Sequence, residues 1–272
     1  VWDPTESLIE ISFYSPTYSN NSDPVGRIGK WNGVKTTVKM GKSGSCAGYV
    51  KVVHTFVLDW RESKNAGDLR RDLSVANYRY GDKETIGRFY WAAKVTDDEA
   101  TALDKDQDPE KSQKEKQNYT PAKWDIDKYV KTVSFINNDK SNVNWYVLRY
   151  ADVLLLYAEA LNEASGPVDD VYKYVNLIRK RSGLPGLKAG LSQDEMRQKI
   201  RRERQVELAL ETHRYFDCNR WKISDQVKAV HGMDIGARDN SFFKRTLVEE
   251  RVFEAPKHYL WPFHQDEVNK NP

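Results

Sequence analysis

The fold of this 272-residue chain is decided by residues 203–221, ERQVELALETHRYFDCNRW. Side chains three and four residues apart are neighbours on an α-helix. Glu203, Glu207 and Glu211 therefore share one stripe, with Arg204 beside it. This spacing predicts one long helix whose charged side chains pair with one another. The predicted structural ion-pair network consists of Glu203, Glu207, Glu211, Arg214, Asp217 and Arg220.

Three further segments form an ordered set with this helix. Residues 148–163 read LRYADVLLLYAEALNE, residues 176–185 read NLIRKRSGLP, and residues 258–262 read HYLWP. In this order, together with the charged stripe, they resemble the motifs of the SusD/RagB family, the nutrient-binding lipoproteins of the Bacteroidetes outer membrane. Before residue 148 the resemblance is limited to DLRRD at residues 68–72.

The chain departs from the family pattern at a few positions. Thr212 stands where the family usually has Gly, and Cys218 and Asn219 replace a more usual Leu-Arg pair. These changes leave the charged stripe intact. Members of the family are much longer, so we expect this chain to correspond to the C-terminal half of a larger protein.

The charge balance argues against several classes of function. The net charge of +3 is the difference between 43 basic and 40 acidic residues. Such a balance does not favour nucleic acid or an anionic membrane face as a partner. No apolar run approaches the ~20 residues that a membrane-spanning helix needs. The two cysteines, Cys46 and Cys218, imply no disulfide framework.

The composition of the chain changes near residue 145. Residues 1–144 are rich in Gly, Asn, Ser, Asp and aromatic residues and predict a loop-rich, partly extended region. Within it, residues 8–13 and 49–58 predict extended segments, residues 68–75 a short helix, and residues 97–117 a solvated loop. Residues 145–272 predict a helical scaffold, and both parts are expected to belong to one domain.

Helical periodicity dominates the second part of the chain. Apolar residues at helical spacing, beginning with Val147 and Ala151, predict a first helix that ends at Gly166, and a second helix over residues 168–182. The short link between them makes a helical hairpin of tetratricopeptide-like size. Ser192 and Glu195 predict a capping box that opens a third helix. The fold class is therefore mainly α, with tetratricopeptide-like hairpins and a large loop-rich ligand-binding region, as in SusD-like proteins.

Aromatic residues beside polar ones are the candidates for ligand binding. Sugar rings pack their C–H faces on aromatic rings, and their hydroxyls hydrogen-bond to polar side chains, which loops on a rigid scaffold can present. The candidate ligand-binding residues are Trp31, Asn32, Tyr78, Tyr80 and Trp91. Trp145, Trp221 and Trp261 lie inside the family motifs and are expected to be packing residues.

The many carboxylates raise two catalytic alternatives. A di-metal helical bundle requires Glu-x-x-His pairs, and no His in this chain has a Glu three residues before it. A glycoside hydrolase requires two carboxylates across a cleft, but acidic residues are too numerous here to single out such a pair. We therefore predict no catalytic residue, no metal site and no cofactor.

The resemblance implies a non-enzymatic binding protein. It implies a lipid-anchored protein at the cell surface, held in the outer membrane by an anchor outside this chain. It also implies delivery of a glycan, or as second candidate a peptide, to a SusC-like TonB-dependent transporter. The alternatives that stay open are a helical-repeat scaffold that binds another protein and, third, a glycoside hydrolase.

Overall fold

The computed structural model describes residues 6–13, 26–34, 46–53, 56–57, 60, 67–76, 120–125, 143–226, 229–234 and 244–270. The strands are β1 Ser7–Ile11, β2 Val75–Ala76, β3 Thr120–Pro121, β4 Trp145–Arg149, β5 Ala229–Asp234 and β6 Lys244–Glu250. The α-helices are α1 Ile28–Asn32, α2 Leu69–Ser74, α3 Tyr150–Ser165, α4 Asp169–Arg181, α5 Gln193–Glu207, α6 His213–Arg220 and α7 Gln265–Lys270. Short 3-10 helices span Ala122–Trp124, Ser224–Gln226 and Lys257–Tyr259.

The predicted helical hairpin is formed by α3 and α4, and α5 packs against both. Gly166 ends α3 at a φ of 76°, a left-handed conformation that glycine adopts without a steric penalty. The capping box of α5 is present, with Ser192 and Glu195 each satisfying the other's backbone amide. The mainly α-helical fold with hairpins is thus confirmed. The core between these helices consists of Ala158, Val171, Val175, Met196 and Ile200, with Ala151, Leu154, Leu155 and Ile178 alongside.

The pairing of β1 with β4 joins the loop-rich part of the chain to the helical part. β1 confirms the extended segment predicted at residues 8–13 and pairs antiparallel with β4. The first predicted helix is wrong at its start, because Val147 lies in β4 and α3 begins only at Tyr150. The sequence of β4, WYVLR, is rich in aromatic and β-branched residues that favour strands. The amide of Tyr150 donates to the carbonyl of Glu6 at 2.7 Å, which ends the strand pairing beside Arg149.

The single helix predicted over residues 203–221 is divided in two. α5 ends at Glu207, and α6 begins at His213. Between them Leu210 and Thr212 adopt φ values of 66° and 71°, which a continuous right-handed helix does not contain. Thr212, which stands where the family usually has Gly, therefore adopts a left-handed backbone conformation in this chain.

A second core joins the loop-rich part to α5. The short helix predicted at residues 68–75 is confirmed as α2, whose N-cap Asp68 accepts a hydrogen bond from the amide of Arg70. The strand or extended segment predicted at residues 49–58 is wrong at Phe56 and Val57, which are helical, while residues 49–53 belong to no helix or strand. These residues turn inward to a core made of Val52, Val57, Trp60, Val75, Val206 and Ala209.

The C-terminal part forms an extended surface. β5 and β6 pair antiparallel, and residues 251–270 follow as turns and short helices. Trp261, expected to pack, is 81% exposed and meets only the edge of Tyr215 at 6.3 Å among the described residues. Trp145 does pack, stacked on Trp124 at 5.0 Å. None of the described helices is both long and apolar enough to cross a membrane.

Candidate functional site

Two exposed aromatic rings lie side by side in the loop-rich part of the protein. Trp31 of α1 and Tyr49 stack with their ring centres 5.4 Å apart and their planes 18° apart. Trp31 is 38% exposed and Tyr49 is 69% exposed. The Nζ of Lys30 lies 4.6 Å from the centre of the Trp31 ring. We call this stacked pair the Trp31–Tyr49 platform; both of its rings are partly open to solvent.

Backbone hydrogen bonds hold the two rings in register. The amide of Tyr49 donates to the carbonyl of Trp31 at 2.8 Å, and the amide of Ala47 donates to the carbonyl of Lys30 at 2.7 Å. Each ring therefore stands on a backbone segment that is bonded to the other segment. Such a pair needs little ordering when a ligand binds, which lowers the entropic cost of binding.

Gly33 brings the helix that carries Trp31 into close contact with the backbone of Trp124. A Cβ at Gly33 would lie 2.2 Å from the carbonyl oxygen of Trp124 and 2.5 Å from that of Gly29. Only glycine permits this close approach. Because Trp124 itself stacks on Trp145 of β4, the platform connects through one ring pair to the β1–β4 sheet.

The other predicted ligand residues are placed differently. Asn32 follows Trp31 in α1 and is half-buried. Tyr78, Tyr80 and Trp91 lie outside the described residues, so their prediction stays a prediction. Sequence reasoning did not single out Tyr49, which is too far from Trp31 in sequence for their stacking to be read from local spacing.

A cleft of about 490 Å³ is lined in part by Lys123 and Trp124 of the Ala122–Trp124 turn, against which Gly33 packs. Its rim is partly apolar, through Leu69, Leu73 and Trp124. Its floor is charged. The lining side chains of that floor are Glu6, Arg70, Lys123, Arg149, Arg181, Glu207 and Glu211.

The carboxylates of the predicted stripe lie in the floor of the cleft and behind it. Glu203 is 1% exposed and accepts from Arg70 at 3.0 Å and from Arg179. Glu207 accepts from Arg149 at 2.8 Å, from Arg70 at 3.1 Å and from Arg181. These two glutamates of α5 are thus paired with cations that come from other elements, namely α2, β4 and α4.

Arg149 and Lys123 hold the third carboxylate of the stripe. Arg149 donates to Glu211 through Nε at 2.7 Å and Nη2 at 3.1 Å, and it also reaches Glu6 at 2.6 Å. Lys123 donates to the same carboxylate and, at 3.0 Å, to the carbonyl of Glu207. The five cations Arg70, Lys123, Arg149, Arg179 and Arg181 face the five carboxylates Glu6, Asp68, Glu203, Glu207 and Glu211.

The pKa shifts follow from this pairing. Burial alone would raise the pKa of Glu207, but the charges of Arg149, Arg181 and Arg70 outweigh it and hold that pKa far below its ordinary value. Glu211 behaves in the same way: burial opposes the lowering of its pKa, and the charge of Lys123 is the main cause of that lowering. Burial lowers the pKa of Lys123 itself. Both carboxyl groups are therefore ionised at neutral pH.

The end of the stripe forms a second, separate network. Arg204 binds Asp217 through two hydrogen bonds of 3.0 Å and binds Asp152 at 2.7 Å. Arg220 donates to Asp217 at 2.9 Å and, through two bonds of 2.6 Å, to Glu159. This network ties α6 to α3 and α5.

The predicted place of Arg214 in the ion-pair network is wrong. Among the described residues it makes no ion pair, and its guanidinium lies 5.9 Å from the ring centre of Trp221. The reason is the break between α5 and α6. The break changes the direction of the chain after Glu211, so a residue three positions later no longer follows the stripe. Trp221 is a packing residue, as predicted, and its Nε1 donates to Glu159 at 2.6 Å.

The carboxyl groups of Glu207 and Glu211 differ from the catalytic acid of a glycosidase. A glycosidase uses one carboxylic acid with a raised pKa, whereas the pKa values of Glu207 and Glu211 are lowered. Within the described ranges no group of three or more His, Cys, Asp or Glu side chains could hold a metal ion. The chemistry that the described residues offer is stacking on the platform and hydrogen bonding around it.

The model of the SusD family matches residues 15–272. The SusD-like protein P2 of Formosa agariphila is 33% identical over 155 residues, which are 54% of this chain and 28% of that protein. A crystal structure of a SusD homologue from Bacteroides thetaiotaomicron is 61% identical with a TM-score of 0.68, over 83% of this chain and 43% of that one.

A more distant solved structure is a surface glycan-binding protein from Bacteroides thetaiotaomicron in complex with laminarihexaose. It is 19% identical with a TM-score of 0.56, over 97% of this chain and 50% of that one. At this identity the likeness shows the fold alone. This chain spans half or less of the length of each of these three proteins.

Proposed function

Because the chain belongs to the SusD family, we propose that it forms part of a non-catalytic protein that binds glycan at the bacterial cell surface. The full-length protein would be lipid-anchored in the outer membrane and would pass its ligand to a SusC-like TonB-dependent transporter. Peptide is the second candidate ligand. No cofactor is needed, because stacking and hydrogen bonding supply the binding energy.

The observation that carries the proposal is the Trp31–Tyr49 platform. The planes of the two rings are nearly parallel, 18° apart, and both rings are exposed; a pyranose presents a flat C–H face of similar width to one such ring. Because the rings stack on each other, a sugar unit would pack on an outward face of the pair. Asn32 lies beside Trp31 in the sequence and is half-buried, so its amide can meet a sugar hydroxyl at the edge of the platform.

The rigidity of the platform supports the same proposal. Its rings are fixed by two hydrogen bonds between their backbone segments and by the close contact at Gly33. Neighbouring exposed apolar side chains mark a binding surface more strongly than scattered single ones do. Tyr78, Tyr80 and Trp91 are proposed to extend the same ligand face.

The absence of catalysis is proposed from the state of the carboxylates. Every carboxylate of the stripe faces a guanidinium or an ammonium group, and the lowered pKa values of Glu207 and Glu211 make them poor proton donors. A bound glycan would leave the protein uncut.

The test uses the full-length natural protein on an array of oligosaccharides and peptides. We expect binding to a defined set of glycans, and no shortened products when those glycans are incubated with the protein and separated by chromatography. Binding to peptides but to no glycan would show that peptide, the second candidate, is the ligand. Release of shorter sugars would favour the glycoside hydrolase, and binding to neither would favour the helical-repeat scaffold.

Delivery to the transporter needs its own test. The natural protein carrying an affinity tag is purified from outer membranes in mild detergent. A TonB-dependent transporter of the SusC type should co-purify with it. Recovery of the tagged protein with no such transporter would contradict this part of the proposal.

A further inference from the structure

The two rings of the Trp31–Tyr49 platform differ in how open they are. Tyr49 covers part of Trp31 by stacking on it, with 5.4 Å between the ring centres. The Nζ of Lys30 also lies over the Trp31 ring, 4.6 Å from its centre. Trp31 is 38% exposed, whereas Tyr49 is 69% exposed. Trp31 is therefore the inner ring of the pair, and Tyr49 is the outer one.

The hydroxyl group of Tyr49 is open as well. Among the described residues it has no hydrogen-bond partner. A tyrosine combines an apolar ring face with a polar tip. A sugar combines an apolar C–H face with hydroxyl groups around its edge, so Tyr49 can stack on the face of a sugar and bond to a hydroxyl of the same unit.

The backbone before Tyr49 determines where its ring lies. Gly48 is buried and has a φ of 59°, a left-handed conformation that favours glycine. Its two neighbours, Ala47 and Tyr49, donate their amides to carbonyls of α1 at 2.7 and 2.8 Å. The carbonyl of Gly48 accepts a hydrogen bond from the Nζ of Lys51 at 2.5 Å. Gly48 is thus held on both sides, and its conformation sets the direction in which Tyr49 leaves the backbone.

We propose that Tyr49 is the ring of the platform that contacts the sugar, and that Trp31 and Gly48 are positioning residues that hold this ring in place. The inference rests on the function proposed above and identifies the side chain of that site that meets the glycan. The sugar would pack on the outer face of Tyr49, because the inner face is stacked on Trp31. The platform therefore binds a single sugar unit of a glycan chain.

Reciprocal leucine substitutions test which ring meets the sugar. The probes are the tetrasaccharide and the hexasaccharide of the glycan identified on the array, titrated calorimetrically into the full-length protein. Leucine removes the ring but still covers its neighbour, whereas alanine at position 49 would uncover Trp31. Tyr49→Leu should weaken binding about tenfold or more, and Trp31→Leu about threefold or less, because only the first variant loses the contacting ring. Tyr49 is exposed, so the unfolding midpoint of Tyr49→Leu should equal that of the parent.

The length of the oligosaccharide tests the contact with a single sugar unit. Tyr49→Leu should weaken the binding of the tetrasaccharide and of the hexasaccharide by the same factor. A factor that grows with length would show that several units pack on the pair, which contradicts the proposal. Tyr49→Phe keeps the ring and should recover most of the affinity that Tyr49→Leu loses; no recovery would show that the ring is not the contact.

Substitutions of glycine test the positioning role of Gly48. Gly48→Ala strains the backbone before Tyr49 and should lower the glycan affinity about three- to tenfold. Gly48→Asn should recover most of this loss, because Asn adopts the left-handed conformation more readily than Ala. Gly190→Ala, in the link between α4 and α5, is the matched control: Gly190 has a φ of 94°, and a Cβ there meets no atom within 4 Å. It should lower the unfolding midpoint and leave the affinity unchanged. Unchanged affinity in Gly48→Ala would overturn the positioning role.

Two outcomes separate this inference from the function on which it rests. If Trp31→Leu weakens binding as much as Tyr49→Leu or more, the assignment of the contacting ring is wrong, and glycan binding stands. If the full-length protein binds no glycan on the array, both proposals are overturned.

Discussion

Arg149 and Glu211 form a two-pronged ion pair across 62 residues of sequence, with Nε–Oε2 and Nη2–Oε1 distances of 2.7 and 3.1 Å. Arg149 is the last residue of β4, and Glu211 lies between α5 and α6. The pair therefore fixes the edge of the β1–β4 sheet to the point where the long charged segment turns. Arg149 also binds Glu207, so one guanidinium holds both the end of α5 and the segment that links it to α6.

Removing the charge of Glu207 should destabilise the fold strongly. Glu207→Ala removes the carboxylate that Arg149, Arg181 and Arg70 share and leaves an excess of positive charge in a buried place; loss of one partner of a buried pair typically costs about 3–5 kcal/mol in the free energy of unfolding. Urea denaturation of the full-length protein measures this. Asp170→Ala, which breaks the exposed pair with Lys173, is the control and should change little.

The ligand preference of a folded Glu207 variant should be unaltered. Glu207→Gln keeps the size of the side chain and gives a better-folded sample for this comparison. If it unfolds at the same urea concentration as the parent but no longer binds glycan, the network belongs to the ligand site and its structural role is wrong.

The same carboxylates predict how stability depends on pH. The pKa values of Glu207 and Glu211 are lower in the folded protein than the ordinary value of 4.5. Their contribution to stability is therefore fully present above pH 4.5 and decreases as the pH falls below it toward the folded pKa. We expect the midpoint of thermal unfolding to fall steeply below pH 4.5. In Glu207→Gln the slope on the acid side should be shallower; an unchanged slope would contradict the assignment.

Much of the helical scaffold could be predicted from sequence because it depends on local rules. The capping box at Ser192, the left-handed Gly166 and the apolar stripe of α3 are each determined by neighbours within a few residues. The partners of Glu207 could not be predicted in this way, because Arg70 and Arg149 come from α2 and β4, 137 and 58 residues away. The sequence signal that could have identified these partners was the presence of arginines in two other family-like motifs, DLRRD at residues 68–72 and the segment 148–163.

The errors in the prediction have physical causes that charge spacing does not reveal. Residues 203–221 have helical periodicity on both sides of Thr212, so the break between α5 and α6 was missed. Arg214 was assigned to the stripe for the same reason. In the candidate site, Trp31 could be proposed because it is an aromatic residue beside polar ones. Its stacking on Tyr49 could not, because it depends on a backbone hydrogen bond between residues 18 positions apart.

The left-handed residue at the helix break offers a stabilising substitution. Thr212 has a φ of 71°, a conformation that costs a residue with a Cβ roughly 1–2 kcal/mol. Thr212→Gly should relieve most of this, less the entropy of a more flexible unfolded chain, and raise the unfolding free energy by up to ~1 kcal/mol. Thr212→Ala keeps the Cβ and loses the hydroxyl bond to the carbonyl of Glu211, so it should stabilise nothing. A gain from Ala equal to that from Gly would contradict the explanation.

Gly33, which packs against the backbone of Trp124 below the platform, should not tolerate a side chain. Gly33→Ala places a methyl group 2.2 Å from the carbonyl oxygen of Trp124, so α1 must move and the platform with it. We expect a loss of glycan affinity of about tenfold or more, together with a lower unfolding midpoint. Gly67→Ala is the matched control, because its added methyl group meets no atom within 4 Å. Equal behaviour of the two variants would show that the close contact at Gly33 does not matter.

The central claim is tested most directly by titrating the tightest-binding oligosaccharide into the full-length protein and into its Trp31→Ala/Tyr49→Ala variant. Loss of an aromatic contact at the centre of a binding surface commonly costs more than about 1 kcal/mol. The account predicts an affinity at least about tenfold weaker, with an unchanged unfolding midpoint. Tyr215→Ala/Phe216→Ala, which removes two exposed rings from α6, should bind as the parent does. If the folded platform variant keeps the parent's affinity, the glycan binds elsewhere and the claim is contradicted.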